Sequence, residues 1–123
     1  MSFSGKDILP LIQVLIENSN TYTSDEQKPL KQATFRAILS RSYYSAFLAV
    51  RSHVGLDNDQ SGSVHANVGD ALHKIKPSLA NSLSSLKRYR TQADYNMATT
   101  FNLQSARDSL RQSKKVIDGL NSN

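Results

Sequence analysis

The chain of 123 residues contains no cysteine. This absence excludes disulfide frameworks, zinc–thiolate sites and thiol nucleophiles together. The chain also lacks an apolar run approaching the roughly 20 residues that a membrane-spanning helix needs, and no charged leader with a long apolar stretch follows Met1. We therefore expect a soluble, cytoplasmic protein without a membrane partner.

The motifs of common metabolic enzymes are missing as well. The sequence has no glycine-rich phosphate loop, no dinucleotide fingerprint and no Ser-His-Asp constellation. His65 and His73 are eight residues apart, whereas metal ligands on one helix face are normally four apart, and no pair of carboxylates accompanies them. We therefore expect no metal site and no cofactor, and we assign His65 to a capping or surface position.

The periodic signals that are present are helical. No segment alternates apolar and polar residues for long enough to indicate a strand, so the pattern predicts an all-α fold. The length fits a single domain, residues 1–123, with one core. We predict an up-and-down bundle of about five helices, near residues 4–18, 29–53, 64–74, 79–94 and 103–120, in which Ser4 and Asn102 act as N-caps and Gly55 ends the second helix.

Two arginines fall on apolar lines of these predicted helices. In the first helix the predicted buried residues are all apolar: Ile8, Leu11, Ile12, Leu15 and Ile16. The fourth helix has the line Leu79, Leu83, Leu86, Arg90, Ala93 and Asp94. The second helix has two lines, Phe35, Leu39, Tyr43, Ala46, Val50 and Val54 on one and Leu30, Ala33, Ala37, Arg41, Tyr44 and Leu48 on the other, so we expect much of its circumference to be buried. A guanidinium removed from water needs a partner. We therefore predict that Asp94 pairs with Arg41 or Arg90, and that an Arg41–Asp94 pair locks the second helix against the fourth.

The excess of positive charge lies in the second half of the chain. Residues 1–62 carry six basic and six acidic side chains, whereas residues 63–123 carry nine and four. Five basic residues and no acidic one lie between positions 74 and 90: Lys74, Lys76, Lys87, Arg88 and Arg90. This asymmetry favours a polyanionic partner, and we predict that Lys87, Arg88, Tyr89 and Arg90 bind RNA. A solvated face of the fourth helix has the same composition.

Two segments and one histidine occur along the chain in an order that resembles a known family. They are Ser40-Arg41-Ser42-Tyr43-Tyr44-Ser45-Ala46-Phe47 in the long second helix, then His65, then Arg90-Thr91-Gln92-Ala93-Asp94-Tyr95 at the end of the fourth. Over roughly residues 6–120 the chain resembles the small stand-alone HEPN proteins of prokaryotes. The resemblance implies a helical homodimer with a basic cleft at its two-fold axis, a cleft that His65, near the start of the third helix, could reach in a dimer. It also implies an RNA-directed toxin or defence component that works with a nucleotidyltransferase antitoxin.

Many HEPN proteins cleave RNA without a metal, using an arginine, a polar residue, three variable residues and a histidine. By this resemblance Arg90 matches the arginine, Thr91 matches the polar residue, and Tyr95 stands where the histidine is expected. Tyrosine, with an ordinary pKa of about 10, is a poor base. The resemblance therefore implies a reduced catalytic site, in which Arg90 stabilises the phosphorane, Asp94 is the base and Tyr95 is the acid or a phosphate ligand.

Two functions from different classes remain open at this point. The first is RNA-directed, either a divergent metal-independent endoribonuclease or an RNA binder. The alternative is a non-catalytic helical module for dimerisation or protein interaction, in which Arg41 and Asp94 only hold the core. The absent motif histidine favours the module, and the basic second half favours RNA.

Overall fold

The computed structural model describes residues 3–122, and over this range the chain is helical without any strand. The five α-helices are α1 (Leu9–Ser19), α2 (Lys28–His53), α3 (Val64–Ile75), α4 (Pro77–Tyr95) and α5 (Leu103–Leu120). Short 3₁₀ turns precede α1 and α2, at Gly5–Ile8 and Asp25–Gln27. The prediction of an all-α bundle of about five helices is therefore confirmed. Within residues 3–122, each helix is too short or too polar to span a bilayer.

The ends of the helices follow from local chemistry. The backbone amide of Ser4 donates to Asp7 Oδ2 at 2.8 Å, and Asn102 Oδ1 accepts from the amide of Ser105 at 2.9 Å, as expected of N-caps. Gly55 follows the end of α2 with φ 76°, a left-handed conformation that favours glycine. The fourth helix begins at Pro77, two residues before the start predicted near residue 79, because proline suits the first turn of a helix.

The centre of the bundle is α2, which packs against each of the other four helices. Two clusters of buried side chains lie along it. The first cluster joins α2 to α3, α4 and α5 and includes Tyr43, Phe47, Val50, Val68, Leu72, Leu83, Leu86 and Val116. The second joins α2 to α1 and α5 and includes Ile12, Ile16, Phe35, Ile38, Leu39, Phe101 and Leu110. The long second helix is thus buried on several sides.

Part of the predicted core is exposed. Leu11 is 49 % and Leu30 is 50 % exposed, and Ala33, Ala37 and Arg41 also face solvent. The line from Leu30 to Arg41 faces outward because α2 turns its other predicted line toward its neighbours. That line is buried at Phe35, Leu39, Tyr43, Ala46 and Val50, together with Ser42 and Ser45.

Small residues let the neighbouring segments approach α2 closely. Ser113 Oγ on α5 donates to the backbone carbonyl of Ser42 at 2.8 Å, and Ser45 Oγ donates to the carbonyl of Gly5 at 2.7 Å. A Cβ at Gly5 would lie 2.2 Å from the carbonyl oxygen of Ser45. Glycine is therefore required where the first 3₁₀ turn meets α2.

Candidate functional site

The guanidinium of Arg90 is held near the surface by two neighbours. Its Nη2 donates to Tyr44 Oη at 3.1 Å, and its Nε lies 2.9 Å from Asp94 Oδ2. The Nε is buried, and its N–H does not point at that carboxylate oxygen, so the Asp94 contact is an ion pair without a linear hydrogen bond. Because both partners lie one turn apart on α4, the pair orients the arginine but does not join two helices.

A second guanidinium approaches the same tyrosine. The Cζ atoms of Arg41 and Arg90 lie 4.8 and 5.3 Å from the centroid of the Tyr44 ring. Among residues 3–122, no carboxylate lies within ion-pair distance of Arg41. The predicted Arg41–Asp94 pair is therefore wrong, because Arg41 faces outward on α2 while Asp94 is already paired with Arg90. The two cations nevertheless converge on one aromatic ring.

Arg36, which the sequence interpretation did not identify, also connects α2 to α4. Its guanidinium donates to the carbonyls of Ala93 at 2.8 Å, Asn96 at 3.0 Å and Thr99. The Arg36 Cζ also lies 5.2 Å from the centroid of the Phe101 ring. These contacts satisfy carbonyls at the C-terminus of α4, where a cation also interacts favourably with the helix dipole. They anchor the segment that carries Arg90, Asp94 and Tyr95.

His65 lies half-exposed against α2 beside this group, so its surface position agrees with the prediction, but its ring packs on aromatic side chains and makes no cap. Its ring stacks on Phe47, with centroids 4.2 Å apart and planes 17° apart. Its Nδ1 is 2.6 Å from the hydroxyl of Tyr43, a residue only 1 % exposed. The centroid of Tyr44, the ring shared by the two arginines, is 6.3 Å away. A signal was present in the sequence, because His65, Val68 and Leu72 follow the three- and four-residue steps of one α3 face.

The surroundings of His65 and Tyr43 keep both groups neutral. Burial lowers the pKa of His65, and the positive charges of Lys87, Arg90 and Arg51 lower it further. Burial raises the pKa of Tyr43, against a smaller opposing effect of Arg90. A neutral imidazole therefore meets a protonated hydroxyl at neutral pH.

The other predicted site residues are distributed unevenly around Arg90. Lys87 and Arg88 are exposed and border a shallow depression on α4 together with Ser84, Thr91 and Gln92. Tyr95 is 71 % exposed, and the Arg90 Cζ lies 5.9 Å from its ring centroid. Tyr89, in contrast, packs half-buried against the second core cluster. The structure thus brings Arg90, Asp94 and Tyr95 together and places Tyr89 apart from them.

Two of the basic side chains, Lys76 and Arg51, are engaged in hydrogen bonds that hold the fold together. Lys76 Nζ donates to the carbonyls of Gly119, at 2.6 Å, and Ser122 at the end of α5. Arg51 donates to the carbonyls of Leu56 and Asp59 in the loop that follows α2. Lys76 is therefore not part of the exposed cationic surface near Arg90, whereas Lys87, Arg88 and Arg41 are.

Over residues 3–122, no group of three or more histidine, aspartate or glutamate side chains is arranged to hold a metal ion. The chain matches no family model, no curated protein and no solved structure. The HEPN resemblance therefore stays a prediction based on the residues that carry it.

Proposed function

We propose that this chain is an RNA-directed, HEPN-like protein that binds single-stranded RNA at the surface formed by Arg90, Arg41, Lys87, Arg88 and Tyr95, hereafter the Arg90 surface. One observation carries the proposal: two guanidinium groups converge on the Tyr44 ring, and only Arg90 has a carboxylate partner. The net positive charge of this group favours an anion, and a planar guanidinium suits the oxygens of a phosphate.

The chemistry around the two arginines favours RNA among polyanions. Lys87 and Arg88 extend the positive charge along α4, so that successive phosphates of one strand have partners. Tyr95 presents an exposed ring on which an unpaired base can stack. Alternation of cations with a free aromatic ring is typical of single-strand binding, in which sequence-independent phosphate contacts combine with stacking.

Within this proposal each motif residue has a distinct role. Arg90 binds the phosphate and stabilises charge that develops on it, and Asp94 orients Arg90 through the ion pair. Because Asp94 is engaged in that pair, we assign it an orienting role in preference to that of a base. Tyr95 contacts the bound strand. By the HEPN resemblance, the protein acts as a toxin or defence component beside a nucleotidyltransferase antitoxin.

The test is a binding titration with a fluorescent, unstructured RNA oligonucleotide in the presence of a chelator. We expect Arg90→Ala to weaken binding about 10-fold or more, since loss of a charge-assisted hydrogen bond costs about 1.5–3 kcal/mol. We expect Arg88→Ala to reduce the slope of log affinity against log salt by about 0.7, the value for one single-strand phosphate contact.

The matched control is Lys114→Ala, which removes the same charge from the exposed face of α5. We expect this variant to bind RNA as the wild-type protein does. Equal losses from Arg90→Ala and Lys114→Ala would indicate only non-specific attraction to a basic protein. An absence of measurable binding to RNA at low salt would overturn the proposed function.

A second candidate function is the non-catalytic interaction module, and one observation favours it. Apolar side chains remain exposed along α2, at Leu30, Ala33 and Ala37, and just beyond α4, at Met97, which is 72 % exposed. Exposed apolar residues that form a line on one helix are typical of protein contacts. We propose that this line is where two copies of the chain associate, as the resemblance implies, so that dimerisation and RNA binding are compatible.

A further inference from the structure

The proposed Arg90 surface lacks an effective base at neutral pH, since Tyr95 stands where the motif histidine is expected and Asp94 is engaged by Arg90. An imidazole nevertheless lies beside this surface, on a different helix. We propose that His65 is the general base of the site, and that it supplies from α3 the imidazole that position 95 lacks. This inference rests on the proposed RNA-directed function and deepens it to RNA cleavage.

The position of His65 is fixed by its neighbours. The Phe47 ring supports one face of the imidazole, and the Tyr43 hydroxyl engages Nδ1. For Nε2 to act as a base, the neutral ring carries its proton on Nδ1, and this N–H donates a hydrogen bond to the hydroxyl oxygen of Tyr43. A histidine held in this way loses little freedom when it reacts, as general acid–base catalysis requires.

The second ring nitrogen of His65 is free to react. Nε2 makes no hydrogen bond with any residue from 3 to 122, and it is not among the buried unpartnered atoms, so solvent reaches it. An accessible ring nitrogen without a protein partner exchanges hydrogen bonds with water and can therefore exchange them with a bound ligand. Nε2 is thus available to the proton of a ribose hydroxyl.

Space for a substrate is available next to the imidazole. A cleft of about 280 Å³ lies between α3 and α4, lined by Tyr43, His65 and Lys87 among others. Lys87 borders both this cleft and the shallow depression shared with Arg88. In this proposal a strand that contacts Lys87 passes beside His65, with Lys87 near a phosphate and the imidazole near a ribose. Arg90, which does not line the cleft, reaches the strand from beside Tyr44.

The chemical step needs no component besides RNA and water. Nε2 takes the proton of a ribose 2′-hydroxyl, the 2′-oxygen forms a bond to the adjacent phosphorus, and the bond from phosphorus to the 5′-oxygen breaks. The leaving 5′-oxygen takes a proton from water, and the imidazolium returns its proton to the hydroxide that results. The products are a 2′,3′-cyclic phosphate and a 5′-hydroxyl, while Arg90 and Lys87 stabilise the charge on the phosphorane.

The charged and titratable groups around His65 set its protonation state. They are Tyr43, Tyr44 and Arg51 on α2, Asp70 and His73 on α3, and Lys87 and Arg90 on α4. Burial and the three cations lower the pKa of His65, so the imidazole is neutral and able to act as a base at pH 7. The cleavage rate should therefore fall only when the pH drops below about 6.5, the ordinary pKa of histidine.

The experiment compares cleavage of an RNA oligonucleotide in chelator by the wild-type protein, His65→Phe and His53→Ala. We expect His65→Phe, which keeps an aromatic ring against Phe47, to lower the cleavage rate by about 10²–10⁴-fold with RNA binding retained. His53, exposed at the end of α2, is the matched control, and its variant should cleave at the wild-type rate. Melting curves verify that both variants are folded.

A second measurement uses the wild-type protein alone. The pKa of His65, followed by the proton shifts of its ring, should rise when an uncleavable 2′-O-methyl oligonucleotide binds, because the phosphates offset the positive charges of Lys87 and Arg90. In the free protein Lys87→Met should raise the same pKa. An unchanged pKa on binding would overturn the role of His65.

The outcomes separate this proposal from the proposed function. The role of His65 is overturned if RNA binds in an Arg90-dependent way but is not cleaved, or if His65→Phe cleaves it at the wild-type rate. Either result leaves the RNA-directed function standing. RNA that is not bound at all overturns the proposed function and this inference together.

Discussion

Three arginines show how the role of a side chain depends on what surrounds it. Arg36, Arg41 and Arg90 are the same residue type on adjacent helices, yet Arg36 binds backbone carbonyls, Arg41 lies free over an aromatic ring, and Arg90 is paired with an acid. The donors of the Arg36 guanidinium are engaged by backbone carbonyls within the bundle. Between them, Arg41 and Arg90 have a single carboxylate partner, Asp94, which pairs with Arg90, so a net positive charge remains at the Tyr44 ring, and the proposed Arg90 surface is centred there.

The Arg90–Asp94 pair has a small expected effect on stability. Asp94→Asn should lower the free energy of unfolding by only about 0.5–1 kcal/mol, because the pair lies within one helix and its side chains are 21 % and 29 % exposed. RNA binding should weaken in the same variant, because Arg90 loses its orienting partner. Chemical denaturation and the binding titration measure the two effects. A loss of more than about 3 kcal/mol would indicate a buried pair that joins helices.

At the scale of the helices, the end of α4 is held by side chains from α2. Besides the contacts of Arg36, Gln32 bonds both the amide and the carbonyl of Phe101, each at 2.8 Å. The segment between α4 and α5 is thereby fixed at several points, although it contains no regular structure. The proposed Arg90 surface lies on the last turns of α4, so its geometry depends on this anchoring.

Removal of the Arg36 anchor should destabilise the fold. Arg36→Met keeps much of the aliphatic stem and loses the hydrogen bonds to the carbonyls of Ala93 and Asn96. We expect the free energy of unfolding to fall by about 2 kcal/mol, the scale of hydrogen bonds to a charged group. The free energy of unfolding of Arg36→Lys should lie between those of this variant and the wild type, since lysine keeps the charge but lacks the planar guanidinium. Denaturation midpoints that do not differ would contradict the anchoring role.

At the scale of the whole molecule, α2 is covered by four neighbouring helices and still has one uncovered line. The exposed residues of that line, Leu30, Ala33 and Ala37, lead directly to Arg41 on the proposed Arg90 surface. Association of two copies along this line would bring two Arg90 surfaces near one another. The size of the combined positive surface then depends on the oligomeric state.

The proposed dimer can be tested by the mass of the protein in solution and by one substitution in the exposed line of α2. Light scattering of the wild-type protein should give about twice the mass of the 13.6 kDa chain. Ala37→Glu should shift the protein toward the monomer, because two carboxylates would lose water at a two-fold interface. Ala66→Glu, which changes an exposed alanine of α3, is the control and should leave the mass unchanged. A wild-type protein that remains monomeric at high concentration would contradict the dimer.

Local patterns in the sequence predicted the helices well. The helical class, five elements, the caps at Ser4 and Asn102 and the stop at Gly55 all depend on side chains that act within one turn of themselves. The order of residues along α4 also placed Arg90 one turn before Asp94, and this pair is present. These features depend on interactions within one helix or at its ends, so each can be recognised without knowing how the helices pack.

The tertiary structure decided which helix faces meet. Periodicity gives α2 two apolar lines, and the burial of side chains shows that the line of Phe35, Leu39 and Tyr43 is covered while the line from Leu30 to Arg41 is exposed. The same holds for His65, whose contacts come from a helix more than 15 residues away in the chain. The spacing of residues along one helix can identify an ion pair within that helix. A hydrogen bond between two helices depends on which of their faces pack together, and this follows only from the tertiary structure. The proposed catalytic role of His65 depends on this packing.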